Sequence, residues 1–446
     1  MNELLRRRLT RTSLSALLLS SLVGGTLPLA GTSSAQAADA ATDAAPNAVA
    51  AADPVRAPVE NLGRPFAKAG TYAQNVWDMQ LWNGKIYIGQ GNSSNQGSAV
   101  NAGPIPLTTY DPASGKFGTD KLLVSSSQEQ TYVDEEQIDV FKVLNGQLYI
   151  PGHDPKSEAH TLGNFYRLDP SDGKWRKIRT IPGGVHTYDM AYYQGNLFAA
   201  TGWDSDASIL RSSDGGQTWS KSGIPIGGKE SGRNYSLFPL NGNLYAVSSF
   251  IFSANPAFQP QNGVLEISPA TAGSASPVSY KDVPLTTQNF FPGLSAPTPP
   301  LPPAYIRPVR TTTVGSKLMY IAGQGYNDHQ WLPKGLFVAS SVKQSSALAL
   351  PGGATAMDIL TRGDKVYVLA YTESGGTYTN LVFETGASAI GDSSAWTETV
   401  RFRQNTFARS FELQGGDFYF GLGSHDANNP VATTGTILRI QDVLPE

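Results

Sequence analysis

The residues best equipped for chemistry in this chain are two histidines, a tyrosine and an arginine: His153, His186, Tyr188 and Arg233. Tyr188 follows His186 by two positions, and Tyr235 follows Arg233 by the same step. Removing a proton next to a uronic acid carboxylate needs a cation to neutralise the acid and a base such as His or Tyr. A second His or Tyr then protonates the departing oxygen. His186, His153, Tyr188 and Arg233 supply that set. His160, Trp203, Asp204, Tyr235, Tyr326, Arg409 and His425 are the candidates for holding substrate, and Trp203, Tyr326 and Trp331 can stack on sugar rings.

Other chemistries have less to work with. A glycosidase needs two carboxylates at a defined separation, and Asp154, Asp204, Glu373 and Asp426 are available for that. A divalent metal could be held by His153, His160 and His186 with Asp154, although their spacing matches no ligand motif. No other cofactor is expected. Cysteine is absent, which removes thiol nucleophiles and disulfides alike. There is no Gly-x-Ser-x-Gly elbow and no glycine loop to cradle phosphate.

These residues are placed by a repeat. The stretch Val185 to Asp206 has an apolar-rich run, a tight polar turn with Gly, a short run with an aromatic, and a Gly/Asp-rich loop. Copies begin at Val76, Ile138 and Asn234, with weaker ones at Val309, Ala356 and Arg409. Four of the six gaps between successive turns are near 50 residues, a period of propeller blades or solenoids. Asn-Gly or Gln-Gly turns signal a hairpin of inner and second strands, and a third and a fourth strand follow. The expectation is an all-β propeller of seven four-stranded antiparallel sheets, with six or eight left open by the drift of the weak copies. The last copy stops after its third strand, so the segment around Pro65 to Tyr72 is expected to complete it and close the ring.

Hairpin topology puts the start of each inner strand and the end of each second strand at one face. His153 ends a second strand and His186 begins the next inner strand, which brings all five histidines to or near that face. Asp78, Asp189 and Asp358 recur within inner strands and are read as structural, bonding between blades.

Bulk properties agree with an exported sugar-binding protein. The formal net charge is −3 and no basic stripe occurs, so nucleic acid is not an expected partner. Arg6, Arg7, Arg8 and Arg11, the apolar Leu14 to Leu29 and Ala35-Gln36-Ala37 form a secretory signal over residues 1–37. Its apolar core is too short and interrupted for a stable membrane span. Residues 38–64, rich in Ala, Pro and Asp, are expected as a disordered linker, with the propeller over 65–446. The mature protein is expected outside the cytoplasm, off the membrane and monomeric.

Ser212 to Trp219, SSDGGQTW, matches the Asp-box pattern S-x-D-x-G-x-T-W. Through it the chain resembles the sialidase-like Asp-box β-propellers and related propeller enzymes acting on glycans. The resemblance implies a structural box on a hairpin away from the active face. A true sialidase carries several boxes and an Arg-Ile-Pro motif ahead of the first, which this chain lacks. Propeller-fold polysaccharide lyases use His, Tyr and Arg as acid, base and carboxylate neutraliser, so the resemblance extends to a style of reaction. Three functions stand: an eliminative lyase on uronate-containing polysaccharide, a glycoside hydrolase on the same face, or a non-catalytic propeller binding glycan or protein. The His/Tyr/Arg grouping favours the lyase.

Overall fold

The computed structural model describes residues 58–66, 74–92, 103–155, 158–159, 161–202, 208–223, 233–252, 262–269, 280–294, 304–326, 330–425 and 430–444. Within them seven sheets of the expected hairpin type follow one another along the chain. Blade 1 runs Val76–Trp82, Lys85–Gln90, Thr108–Asp111 and Lys116–Thr119 from its inner strand outward. The inner strands of blades 2 to 7 are Lys142–Leu144, His186–Tyr193, Asn234–Leu240, Ala304–Val314, Thr355–Arg362 and Ala408–Gln414. The strongest hairpin signals hold in detail: Asn83-Gly84, Asn145-Gly146, Gln194-Gly195 and Asn241-Gly242 all have positive φ at both positions. That is the backbone a two-residue hairpin turn demands.

The ring closes as expected, but with a different segment. Glu60–Gly63 pairs antiparallel with Ile437–Ile440 and supplies the fourth strand of blade 7. The closing strand therefore lies ahead of the Pro65 to Tyr72 window, inside the stretch expected as linker. Of that window Pro65 and Phe66 are described, and Phe66 is in the core, 2% exposed. The proline-rich connection Phe291 to Arg307 is also shorter than expected, because Ala304 already belongs to the inner strand of blade 5.

Two sheets carry extra strands. In blade 2 a hairpin, Leu122–Ser125 and Gln128–Gln130, adds in parallel to the outer strand Trp175–Pro182. In blade 5, Phe250–Phe252 pairs with the inner strand at Ala304 to Ile306.

Apolar cores lie between blades, where alternate side chains of facing sheets interdigitate. Phe238, Phe250, Phe290, Phe291, Tyr320 and Phe337 fill the space between blades 4 and 5. Polar bonds near the axis tie blade 1 to 2, 3 to 4 and 6 to 7. Asp78 accepts from the Phe141 N–H at 2.7 Å, Asp189 from Leu237 at 2.8 Å and Asp358 from Phe411 at 3.3 Å. Each carboxylate thus satisfies a buried amide of the next blade. The structural reading of these three aspartates is correct. The segment Ser212 to Trp219 is likewise a turn device: Asp214 accepts from the Gln217 and Thr218 amides and the Thr218 hydroxyl, while Trp219 packs edge-on to Phe165.

Candidate active site

Strict alternation would leave an inner strand with no side chain directed at the axis. Bulges change that. The pairing of inner and second strands slips by a residue at Trp77, Tyr188, Tyr235, Met357 and Arg409 in blades 1, 3, 4, 6 and 7. In blade 5 the slip takes in Arg310, which has φ 52°. A bulge bends its strand and re-aims the extra side chain. In blade 2, Asp139 holds the same place, two residues before the amide that bonds the preceding blade's aspartate. Tyr188, Tyr235, Arg310 and Asp139 line an axial cavity of about 320 Å³ together with Arg307 and Trp331.

Of the expected catalytic residues only Tyr188 lines this cavity; His153 and His186 gather behind it, packed on Tyr188. The His186 and Tyr188 rings stack with centroids 5.5 Å apart, His153 meets Tyr188 edge-on at 5.4 Å, and Tyr188 lies 4.6 Å from Tyr235. His153 and His186 are 6.3 Å apart. His186 Nδ1 sits 2.9 Å from the His153 carbonyl oxygen and 3.6 Å from Asp154 Oδ2. A carbonyl only accepts, so Nδ1 carries the proton and Nε2 keeps its lone pair. Burial, with Arg307 and Arg233 adding to it, lowers the His153 pKa to about 3. Burial and the neighbouring Tyr235 push the Tyr188 phenol well above its usual range, against the pull of Arg233 and Arg307. At neutral pH the site therefore holds a neutral imidazole at His153 and a protonated phenol at Tyr188, with guanidinium charge nearby.

Glycines make the close approach possible. A Cβ on Gly202 would stand 2.5 Å from Tyr188 Cε2 and 3.1 Å from Arg233 Cγ. Gly202 also bridges to Arg233, which ties the cation to the end of the blade 3 hairpin.

Not every expected residue joins this group. Arg409 is 1% exposed and sits between two indoles, its Cζ 3.9 Å from the Trp77 ring centre and 4.8 Å from that of Trp331. Burial, reinforced by Arg310, lowers its pKa to about 9. Trp331 is thus a wall for Arg409, which limits it as a platform for sugar. His425 packs on Phe407 at 4.5 Å and near Tyr371 and Tyr378, a separate aromatic cluster between blades 6 and 7. His160, Trp203, Asp204, His329 and Asp426 lie outside the described residues, as does the side chain of Tyr326. Among the described residues no group of three His, Cys, Asp or Glu is placed to hold a metal ion. Nor is any helix there long and apolar enough to cross a membrane.

No protein-family model matches the chain. The PII-type and PI-type proteinases of Lactococcus lactis subsp. cremoris are each 27% identical over 167 residues, 32% of this chain. That match takes in only 8% of the length of either proteinase. Among solved structures, an ulvan lyase bound to -[GlcA(1-4)Rha3S]- has a TM-score of 0.46 at 10% identity, covering 82% of this chain and 94% of that one. The phage phi92 endosialidase gives 0.40 at 10% identity, covering 86% and 68%. The α-L-arabinofuranosidase Arb93A from Fusarium graminearum gives 0.35 at 12%, covering 72% and 92%. At such scores these likenesses lend nothing to the chemistry, which rests on the side chains themselves.

Three residues of the site were not singled out from sequence. Arg307 lies over the Tyr235 ring at 4.1 Å and acts on both His153 and Tyr188. Trp77 and Asp139 occupy the axial place that Tyr188 and Tyr235 hold in their blades. Aligning the repeats on Trp77-Asp78, Tyr188-Asp189, Tyr235-Ser236 and Arg409-Ser410 marks that place, since the residue before the inter-blade Asp or Ser is the bulged one.

Proposed function

We propose that this propeller is an exported polysaccharide lyase that cleaves uronate-containing chains by β-elimination. The observation that carries the reading is the contact group His153, His186, Tyr188 and Tyr235 with two guanidinium side chains, Arg233 and Arg307, of which Tyr188, Tyr235 and Arg307 line the axial cavity. Arg233 and Arg307 neutralise the uronate carboxylate and so acidify the proton on the adjacent ring carbon. His186 Nε2 takes that proton, and Asp154 stabilises the imidazolium that results. The electron pair left on carbon forms a ring double bond as the bond to the glycosidic oxygen breaks. Tyr188, kept protonated by burial, gives its proton to that oxygen. His153 stays neutral and fixes the His186 ring through its carbonyl.

A hydrolase would need a pair of carboxylates across the bond. Asp154 is the carboxylate beside His186, and Asp139 is tied electrostatically to Arg307, Arg310 and Arg409 at the axis. That arrangement favours elimination. The test is to supply acidic polysaccharides and follow the absorbance of the unsaturated uronate. His186→Ala and Tyr188→Phe are expected to abolish the signal while leaving the circular dichroism of the fold intact. Reducing sugar released without that absorbance would turn the reading to hydrolysis.

A further inference from the structure

Blade 5 stands taller than its neighbours on the side of the site. Its inner strand begins at Ala304, six residues ahead of the bulge at Arg310, whereas those of blades 3 and 4 begin at His186 and Asn234, two and one ahead of theirs. All the added length lies before the bulge, so it rises as a wall beside Tyr235 and Arg307. On that wall Tyr305 is 40% exposed, one of few large apolar side chains so open among the described residues.

Its placement follows from strand geometry. Tyr305 and Arg307 are two apart with no register shift between them, so they share a face of the strand about 7 Å apart. Arg307 already belongs to the site through Tyr235. The neighbour across the sheet from Tyr305 is Gly325, and beyond Gly325 stands Trp331 in the third strand. Gly325 has no positive φ that would call for glycine, and a Cβ there would meet nothing closer than the Tyr305 carbonyl oxygen at 3.5 Å. Glycine is therefore not required by backbone or by space. Its bare position leaves Tyr305 without a side chain from the neighbouring strand, where a Cβ would stand 3.9 Å from Tyr305 Cβ, and the next side chain along the sheet is that of Trp331.

We propose that Tyr305 is a stacking platform for the sugar ring next to the uronate, held open by Gly325, so that the site reads at least two consecutive units of an acidic polysaccharide. The inference rests on the lyase reading and specifies its substrate as a polymer. An aromatic face packs on the apolar side of a pyranose while the ring's hydroxyls stay hydrated. Arg307, one step below, takes the charge.

The test uses the full chain, with hyaluronan, alginate and polygalacturonate as probes in affinity electrophoresis and in steady-state cleavage. Tyr305→Ala is expected to weaken retardation and raise KM on the cleaved polymer about tenfold, with kcat and melting temperature unchanged. Tyr305→Trp should restore both. Gly325→Val should keep the wild-type melting temperature yet reproduce the Tyr305→Ala defect, because its side chain covers the ring. If Tyr305→Ala and Gly325→Val stay within twofold of wild type while His186→Ala abolishes cleavage, the platform is overturned and the lyase reading stands. If the wild type neither cleaves nor is retarded by any of the three, both are overturned. A kcat loss in Tyr305→Ala that tracks a lower melting temperature also overturns it, since that marks a structural residue.

Discussion

Two residues of the site, His153 and Tyr188, are held in one protonation state by their burial and neighbours. His186 has its Nδ1 committed to the His153 carbonyl, so only Nε2 can act as base. Replacing it with Ala should cost at least a hundredfold in kcat, the lower end of what a positioned base contributes. His153 works by staying neutral, and the same burial has a stability consequence. Its folded pKa is about 3 against 6.5 for the free side chain, so the unfolded chain takes up a proton that the folded one refuses. The stability from this residue is complete above pH 6.5 and is lost as pH falls toward 3. His153→Gln should therefore flatten the acid side of a melting-temperature profile between those limits. The pairing of His153, His186, Tyr188 and Arg233 was legible from strand ends alone. Arg307 also falls near the start of an inner strand, but its part in the group did not show, because in blade 5 the chain runs six residues of strand ahead of its bulge and breaks the register that relates the other blades.

At the level of the strand, the device that makes a site is the bulge. Period-two patterning correctly marked the hairpins, yet it has no place for an extra residue, and so it could not show that Tyr188, Tyr235, Trp77 and Arg409 turn to the axis. The inter-blade aspartates, by contrast, could be read from sequence, since a carboxylate recurring inside an apolar strand must meet buried donors. Asp189 accepts the Leu237 amide and pairs with Lys142 at 2.9 Å. Asp189→Ala leaves that buried amide without its acceptor and should lower stability by about 2–3 kcal/mol, read as a shift in urea midpoint with unchanged slope. Gly202→Ala probes the site from the opposite direction. Its methyl would press on Tyr188 and Arg233, so kcat should fall by tenfold or more, with a loss of stability of about 1–3 kcal/mol from overpacking.

For the whole molecule, ring closure is what brings blade 7 back beside blade 1 and holds the axial side chains at one level. The sequence announced the need for a closing strand through a last repeat lacking its fourth. It misplaced that strand because Glu60–Gly63 carries little apolar signal, with the exposed Glu60 and Asn61 on an outer edge. Deleting residues up to Gly63 should expose the edge of Ile437–Ile440 and lower the melting temperature by several degrees, with a rise in aggregation. Arg310 adds a pin across the axis. It reaches Asp78 of blade 1 at 2.6 Å and Asp358 of blade 6 at 3.3 Å. On function the sequence offers a chemistry to test and not a sugar, and Trp203, Asp204 and His160, its candidates for contacting one, lie outside the described residues.

Elimination by the His186–Tyr188 pair beside Arg233 and Arg307 leaves an unsaturated uronate as its signature. The direct measurement is absorbance of the unsaturated uronate as the wild type and Tyr188→Phe act on a panel of uronate polymers. The account predicts a steady rise for the wild type on at least one polymer and none for Tyr188→Phe of equal melting temperature. Chain cleavage without the absorbance rise, or an undiminished rise in Tyr188→Phe, would contradict it.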